Sequence, residues 1–463
     1  MAGAESASST QVRIRLATTD GRYSLPDSAP ILVPTSFRRL ALSSLVNNLL
    51  EHDQPVPFDF IINGSYLRTT LEQFLSEHGI SSETVIDAEF TPAQKIPKYI
   101  ASFPHEDWVS ALDVLPSEKS RLRQSRILSA SYDGLLRVWN TSSNVIATSP
   151  GKGGGGHSSF IKDAKFVSAS QIVSVGFDRV VRLWKYEEAE DGLSASISPR
   201  LQLYGHASSI DSVASCRHKD AHRLLTASAD HTIGHWSTKT SESPAASEEL
   251  IPKTIRENGK RRKLNPAVSV AQRGPLSILQ GHTQQVSGVV FDANDPEVAY
   301  SASWDQTMRT WHLPSSSIVD TRTTNQALFC IHQLPELHLV ATGTAGRDVK
   351  LMDPRASASA VTAMTLKGHK NSVVRLAGDP SNGYTLASGS HDGTCRIWDL
   401  RNTRQGQDGV HGQSLYTLQR ESLGGKAAPE VASGAQIFAL GWDRELGILS
   451  GGADKMIQIN RSD

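Results

Sequence analysis

Cysteine is scarce in this sequence, and what there is cannot staple a fold. Cys216, Cys330 and Cys395 are odd in number and far apart, which points to a reducing compartment and away from a disulfide framework. No cysteine–histidine cluster has the spacing of a zinc site. Net charge is missing as well. The 47 basic and 47 acidic residues cancel, which removes a broad nucleic-acid-coating or membrane-surface role and leaves only a small basic contact open. No apolar run approaches membrane-spanning length, and the opening MAGAESASSTQVRIR has no apolar signal core. A soluble intracellular protein with no membrane partner is therefore expected. At 463 residues the chain has room for two or three domains, or for one large repeat array.

A repeat is what the chain has in quantity. SASYDGLLRVW (129–139) returns as SVGFDRVVRLW, TASADHTIGHW, SASWDQTMRTW and SGSHDGTCRIW. In these copies Asp133, Asp178, Asp230, Asp305 and Asp392 are each followed six residues later by Trp139, Trp184, Trp236, Trp311 and Trp398. Two further copies are degenerate. TGTAGRDVKLM has Gly346 and Met352 at the key positions, and SGGADKMIQIN keeps Asp454 but carries Asn460. Gly-His precedes four copies, at His157, His206, His282 and His369. Four residues before each aspartate position stands a hydroxyl: Ser129, Ser174, Thr226, Ser301, Thr342, Ser388 and Ser450. Between these markers apolar and β-branched residues alternate, as in short antiparallel strands.

Recurring in register over roughly 100–463, the markers resemble the WD-repeat family, whose fold is a β-propeller of four-stranded blades. Seven blades are expected. The resemblance implies that His157, Ser174, Asp178 and Trp184 form a hydrogen-bonded chain within one blade. It implies the same for His206, Thr226, Asp230 and Trp236, for His282, Ser301, Asp305 and Trp311, and for His369, Ser388, Asp392 and Trp398. A buried carboxylate needs such donors, since leaving it unpaired costs on the order of 3–5 kcal/mol. Asp-His-Ser sets also suit a hydrolase triad. A catalytic site occurs once, however, whereas these sets recur, and no nucleophile elbow accompanies them. They read as scaffold, with no enzyme and no cofactor expected. Blades five and seven, lacking the tryptophan, are expected to rest on apolar packing. KIPKYIASF (95–103) is expected to supply the last strand of blade seven and so remove the ring's free edges.

Two insertions interrupt the array. Residues 238–275 are polar and Ser/Pro-rich and read as a disordered, exposed loop. Within them Lys260, Arg261, Arg262 and Lys263 form a basic run that suits a nuclear import signal or a phosphate contact. Residues 401–436 are Gly/Gln-rich, and no chemistry is readable in them.

Residues 11–91 lie outside the repeat. QVRIRL alternates as a half-buried strand. Leu42, Leu45, Val46, Leu49 and Leu50 share one helical face. PFDFIING alternates and stops at an Asn63-Gly64 turn signal. A short helix through Leu71, Phe74 and Leu75 ends at Gly79, and TVIDAEF closes the unit as a strand. This order suits a ubiquitin-like α+β roll. The fold class is thus mainly β: a ubiquitin-like domain (11–91) followed by a seven-bladed propeller (92–463).

The combination, with PVPFDFIINGSYLRT, GISSETVIDAEF, HEDWVSALDV and KRRKL, resembles the Ytm-type family of ribosome biogenesis factors, relatives of WD repeat-containing protein twelve. That resemblance implies a trimer with the Block-of-proliferation (Erb) and Pescadillo (Nop) proteins. The trimer would act on large-subunit ribosomal precursors in the nucleolus and nucleoplasm. It implies a propeller that binds the Block-of-proliferation partner. It also implies a ubiquitin-like domain that engages the metal-ion-dependent adhesion site of midasin, an AAA-type ATPase that pulls the factor off the precursor particle. By its Ser-Ser-Glu context Glu83 matches the family's ligand for midasin's metal ion. The alternative function is a substrate adaptor of a ubiquitin ligase, since both module types occur in that pathway.

Overall fold

The structure, a computed structural model, describes residues 10–25, 29–51, 54–216, 222–247, 249–251, 270–356, 362–407, 409–424 and 434–462. The basic run Lys260, Arg261, Arg262 and Lys263 lies outside them. The chain divides into two compact units, Met1–Ile96 with Asp399–Gln413, and Pro97–Trp398 with Ser414–Asp463.

The first unit begins with β1 (Gln11–Ala17), whose alternate residues Val12, Ile14 and Leu16 are buried. Next come β2 (Ile31–Pro34), α1 (Arg39–Leu50), β3 (Phe58–Ile62), β4 (Ser65–Tyr66), α2 (Leu71–His78) and β5 (Ile86–Pro92). The sheet order is β2-β1-β5-β3-β4, with β1 and β5 parallel. Leu42, Val46, Leu71, Phe74 and Leu75 of the helices pack with Phe58, Phe60 and Phe90 of the sheet into one core. Asn63 and Gly64 both take positive φ, 48° and 75°, as a two-residue hairpin turn between β3 and β4 requires. Thr70 caps α2 by accepting from the Gln73 amide at 3.3 Å, and Gly79 ends it in the left-handed conformation.

Two details depart from the sequence reading. Strand β2 was not foreseen, because ILVP is too short to show a period. On α1 the expected five-leucine-type face is narrower: Leu49 is exposed, while Ser43 is buried and accepts from the Phe58 amide at 3.0 Å. A helix beside a strand end must satisfy that amide, so a hydroxyl takes a place that an apolar face would otherwise fill.

The second unit consists of seven blades, each built on four strands. Blade one runs from Val109–Leu115 to Val145–Thr148, and blade seven pairs Ile437–Asp443, Gly447–Gly452 and Met456–Arg461 with β6 (Lys98–Pro104). The last pairing sets Ser102 opposite Gln458 and Phe103 opposite Ile457. The innermost strand of each blade lies against that of the next, and that of blade seven against that of blade one, so the ring closes. The apolar core is not inside blades but between them. Trp184 of blade two packs with Leu128 and Val138 of blade one, and Trp311 of blade four with Leu225 and Ile233 of blade three. Each buried tryptophan removes roughly 200 Å² from water, so every blade needs its neighbour to complete its hydrophobic face.

The insertion expected to be disordered over 238–275 is ordered at both described ends. Ala271–Arg273 runs parallel to the outer strand of blade two, Ala195–Leu203, and adds a fifth strand there. Ala245 bridges to Arg273, and Ser243 is buried. The backbone of 271–273 covers a sheet edge that would otherwise stand open. Residues 401–436, placed in the propeller by the sequence, split. The strand Thr394–Gly406 starts in blade six and Gly409–Gln419 ends there, but Asp399–Gln413 belongs to the first unit. Within that unit the Tyr66 hydroxyl donates to Asp399 at 2.6 Å, and the Thr403 amide donates to the Gly64 carbonyl at 2.6 Å. A Cβ on Gly64 would stand 2.6 Å from the Thr403 hydroxyl, so glycine is required there twice over.

Phe103 is fully buried on β6, with its ring 5.8 Å from that of Trp139. Phe103→Ala is expected to lower stability by about 3–5 kcal/mol, read as a fall in the urea midpoint. An unchanged midpoint would show that β6 is not part of the closed ring.

Candidate functional site

The four expected polar sets come together, one per blade. In blade two the Trp184 indole donates to the Ser174 hydroxyl at 2.8 Å, which lies 2.7 Å from His157 Nε2. His157 Nδ1 is 3.0 Å from the Asp178 carboxylate. The carboxylate can only accept, so Nδ1 carries the proton, Nε2 accepts from the serine, and all the donors point one way. Blade three repeats the chain through Trp236, Thr226, His206 and Asp230, at 2.8, 2.7 and 2.9 Å. Blade four does so through Trp311, Ser301, His282 and Asp305, at 2.8, 2.7 and 2.8 Å. Blade six does so through Trp398, Ser388, His369 and Asp392, at 2.8, 2.6 and 3.0 Å.

Each aspartate also accepts amides from the turn it anchors. Asp392 takes the Lys370 and Thr394 amides at 2.8 and 2.9 Å, with Gly393 between at φ 76°. Burial opposes the Asp178 charge, yet the His157 hydrogen bond, Arg182 and the Ser158 amide hold its carboxyl down to about 2. Asp230, Asp305 and Asp392 are likewise held well below the usual carboxylate range, against burial, by their histidines and turn donors. Burial pushes His157, His282 and His369 below the ordinary histidine range, more strongly than their aspartates raise them. They are neutral at pH 7, as the one-way chain demands. The hydroxyls of Ser174, Thr226, Ser301 and Ser388 belong to residues with no exposed surface. Each already receives an indole N–H, so none is placed to attack a substrate. These sets are framework.

The remaining blades satisfy the same need with other residues. In blade one His105 stands in for the expected Gly-His histidine, with Nε2 3.1 Å from the Ser129 hydroxyl, which also accepts from Trp139 at 2.8 Å. Burial takes His105 down to about 4. Its partner aspartate is lost, since Asp133 pairs with Arg137 at 2.6 Å. Sequence reading missed His105 because Pro104 replaces the glycine marker.

Blades five and seven do not rest on apolar packing alone, as expected from their missing tryptophans. In blade seven Arg420, nearly fully buried, donates to Asp454, the Ser450 hydroxyl at 2.8 Å, the Ser450 carbonyl at 2.7 Å and the Met456 carbonyl at 2.6 Å. A five-donor guanidinium does alone what indole and imidazole do together elsewhere. In blade five Thr344 donates to Asp348, and Lys350 to Asn325. No local signal in the sequence announces this, since Arg420 stands 30 residues ahead of Ser450.

Glu83 is different in kind. It sits in the turn between the Gly79 cap of α2 and the start of β5, exposed, with its own amide donating to the Ser81 hydroxyl at 3.3 Å. Thr84 ties the turn back to the Ser81 carbonyl at 2.8 Å. Among the described residues the Glu83 carboxylate has no hydrogen-bond or ion-pair partner, and no cluster of side chains is arranged to hold a metal ion. The turn is tied by its own hydrogen bonds, and its carboxylate points to no partner among the described residues.

Residues 12–75 match the model of the NLE (NUC135) domain, and residues 97–140, 197–237, 273–312 and 361–399 match the WD domain, G-beta repeat. Similar over nearly the whole length is a protein of Ajellomyces capsulatus described as "Ribosome biogenesis protein YTM1", 54% identical over 98% of this chain and 94% of its own. Proteins of the same description from Aspergillus clavatus and Aspergillus terreus are 53% and 52% identical, over 99% of this chain and 96% and 98% of theirs.

Ser388→Ala leaves the Trp398 N–H and His369 Nε2 unpaired in the interior. It is expected to cost about 2 kcal/mol, while Ser388→Thr, the residue blade three uses, is expected to stay within about 0.5 kcal/mol of wild type. Urea unfolding of both variants checks the pair.

Proposed function

Because this chain belongs to the Ytm1 family of ribosome biogenesis proteins, we propose that it works there as a non-catalytic assembly and release factor for the large subunit. The propeller is its platform and the ubiquitin-like domain its handle. In this reading the propeller holds the Block-of-proliferation (Erb) protein and, through the trimer, the Pescadillo (Nop) protein on the precursor particle, in the nucleolus and nucleoplasm.

Glu83 is the ligand offered to the metal ion in midasin's adhesion site. The observation that carries this is the free carboxylate on a tied turn: exposed, without a partner among the described residues, and standing between α2 and β5. A hard divalent cation with one open octahedral position takes a carboxylate oxygen at about 2.1 Å and tolerates little displacement. The ion belongs to the partner, and this chain supplies one oxygen. Force applied at Glu83 enters a domain whose sheet pairs β1 and β5 in parallel next to that turn. The reading as framework of the satisfied polar sets supports a protein that binds and is moved and carries out no reaction of its own.

Glu83→Asp keeps the charge but withdraws it by about 1.5 Å. It is expected to weaken pulldown of midasin and to leave binding of the Block-of-proliferation partner unchanged. Wild-type recovery of midasin by this variant would sink the assignment. For Lys260, Arg261, Arg262 and Lys263 the favoured role is nuclear import. A tagged variant with all four changed to alanine is expected to accumulate in the cytoplasm, whereas unchanged nuclear signal would discard that role.

A further inference from the structure

A depression of about 200 Å³ opens at one end of the propeller's axis, and residues from all seven blades line it. Its polar groups do not balance. Lys162 lies 3.9 Å from Asp211, which also accepts from Gln285 at 2.6 Å. Arg375 has no ion-pair partner among the described residues, and its guanidinium reaches only the Ser110 carbonyl, at 3.5 Å. The Ser110 hydroxyl beside it is buried without a hydrogen-bond partner. Two cations and an unpaired hydroxyl thus face one carboxylate, and the site is short of one acceptor.

Around this depression runs an arc of aromatic rings. Phe177 and Phe160 lie 4.7 Å apart, Phe160 and Tyr132 4.9 Å, Tyr132 and Trp108 5.5 Å, and Trp108 and Phe438 5.6 Å. Across the depression Trp304 meets Phe329 at 5.6 Å. Trp108, Phe177 and Trp304 are 40%, 53% and 43% exposed. Contiguous exposed apolar surface of this kind marks interaction sites, and tryptophan, tyrosine and arginine are the residues that dominate binding energy at protein interfaces.

We propose that this end of the propeller is a protein-docking surface that takes a carboxylate side chain of the partner between Arg375 and Lys162 and seats the partner's apolar side chains on the aromatic arc. The inference rests on the reading of the propeller as a partner platform and says which face serves. The arc strings five rings together, most of them outside or at the rim of the depression, which fits a protein surface better than a small molecule. Single-stranded nucleic acid fits poorly. Base stacking needs free ring faces, but Tyr132 is already stacked on Phe160 with 22° between planes. Two cations are also too few to follow a phosphate backbone.

The test uses the full-length chain, the purified Block-of-proliferation partner and a single-stranded RNA as probes. The variants are the pair Phe177→Ala with Trp304→Ala and the charge reversal Arg375→Glu. Melting temperatures report on folding. Each variant is expected to weaken partner binding at least tenfold with the melting temperature unchanged. Loss of binding by Arg375→Glu is expected to be relieved when a carboxylate at the partner's contact is changed to lysine. Wild-type affinity in both variants overturns this face while leaving the partner reading intact. A wild-type chain that does not bind the partner overturns the partner reading and this inference together. RNA binding lost in the variants while partner binding persists assigns the face to nucleic acid and also overturns it.

Discussion

One antiparallel pairing, Lys98–Pro104 against Met456–Arg461, holds the ring shut. The apolar layers lie between blades, so an open ring would expose the Phe103, Trp139 and Ile457 layer between blades seven and one and leave the outer edge of blade seven unpaired. Bringing Ser102 opposite Gln458 closes nearly the whole propeller as one loop, at an entropic cost of about 5 kcal/mol. The buried rings and backbone bonds of that seam must exceed this cost. Once they do, every blade has two neighbours, and the inner edge of each sheet is left short and packed beside the next.

Inside that closed ring one problem recurs seven times. A tight turn between two strands needs an acceptor for its amides, and a buried carboxylate supplies it only if the carboxylate is itself satisfied. Four blades use indole, hydroxyl and imidazole in series. Blade one keeps the indole, the hydroxyl and an imidazole but gives its aspartate to Arg137, and blade seven condenses the donors into Arg420. The requirement is physical and the supplier is free to vary, which is why degenerate repeats can keep a regular blade. A frame satisfied in this way leaves function to what is not satisfied. Glu83 on the first unit and the depression on the second are such places, each with charge that finds no full partner among the described residues.

Much of this was legible from residue order. Aspartate and tryptophan six apart and the hydroxyl four before the aspartate placed strands, turns and blades, because spacing along a strand translates directly into register across a sheet. The Asn63-Gly64 turn and the Gly79 cap were legible because a positive φ restricts residue choice. His105 escaped because its marker is Pro-His, and Arg420 because it acts on a blade whose strands begin beyond it. The parallel strand at 271–273 and the transfer of Asp399–Gln413 to the first unit escaped for a related reason: neither short segment has a period, and each is ordered by partners distant in sequence.

The sequence by itself determined the number of blades and the identity of the buried polar sets, since each depends on residue type and local spacing, whereas Glu83 became a candidate only through the resemblance to a family. Only the tertiary structure decided which atoms remain unpaired. Whether Glu83, Arg375 or Ser110 is satisfied depends on side chains brought from other strands and blades, and no local pattern records those neighbours. Closing the ring is what gathers Lys162, Asp211, Arg375 and the aromatic arc around one axis.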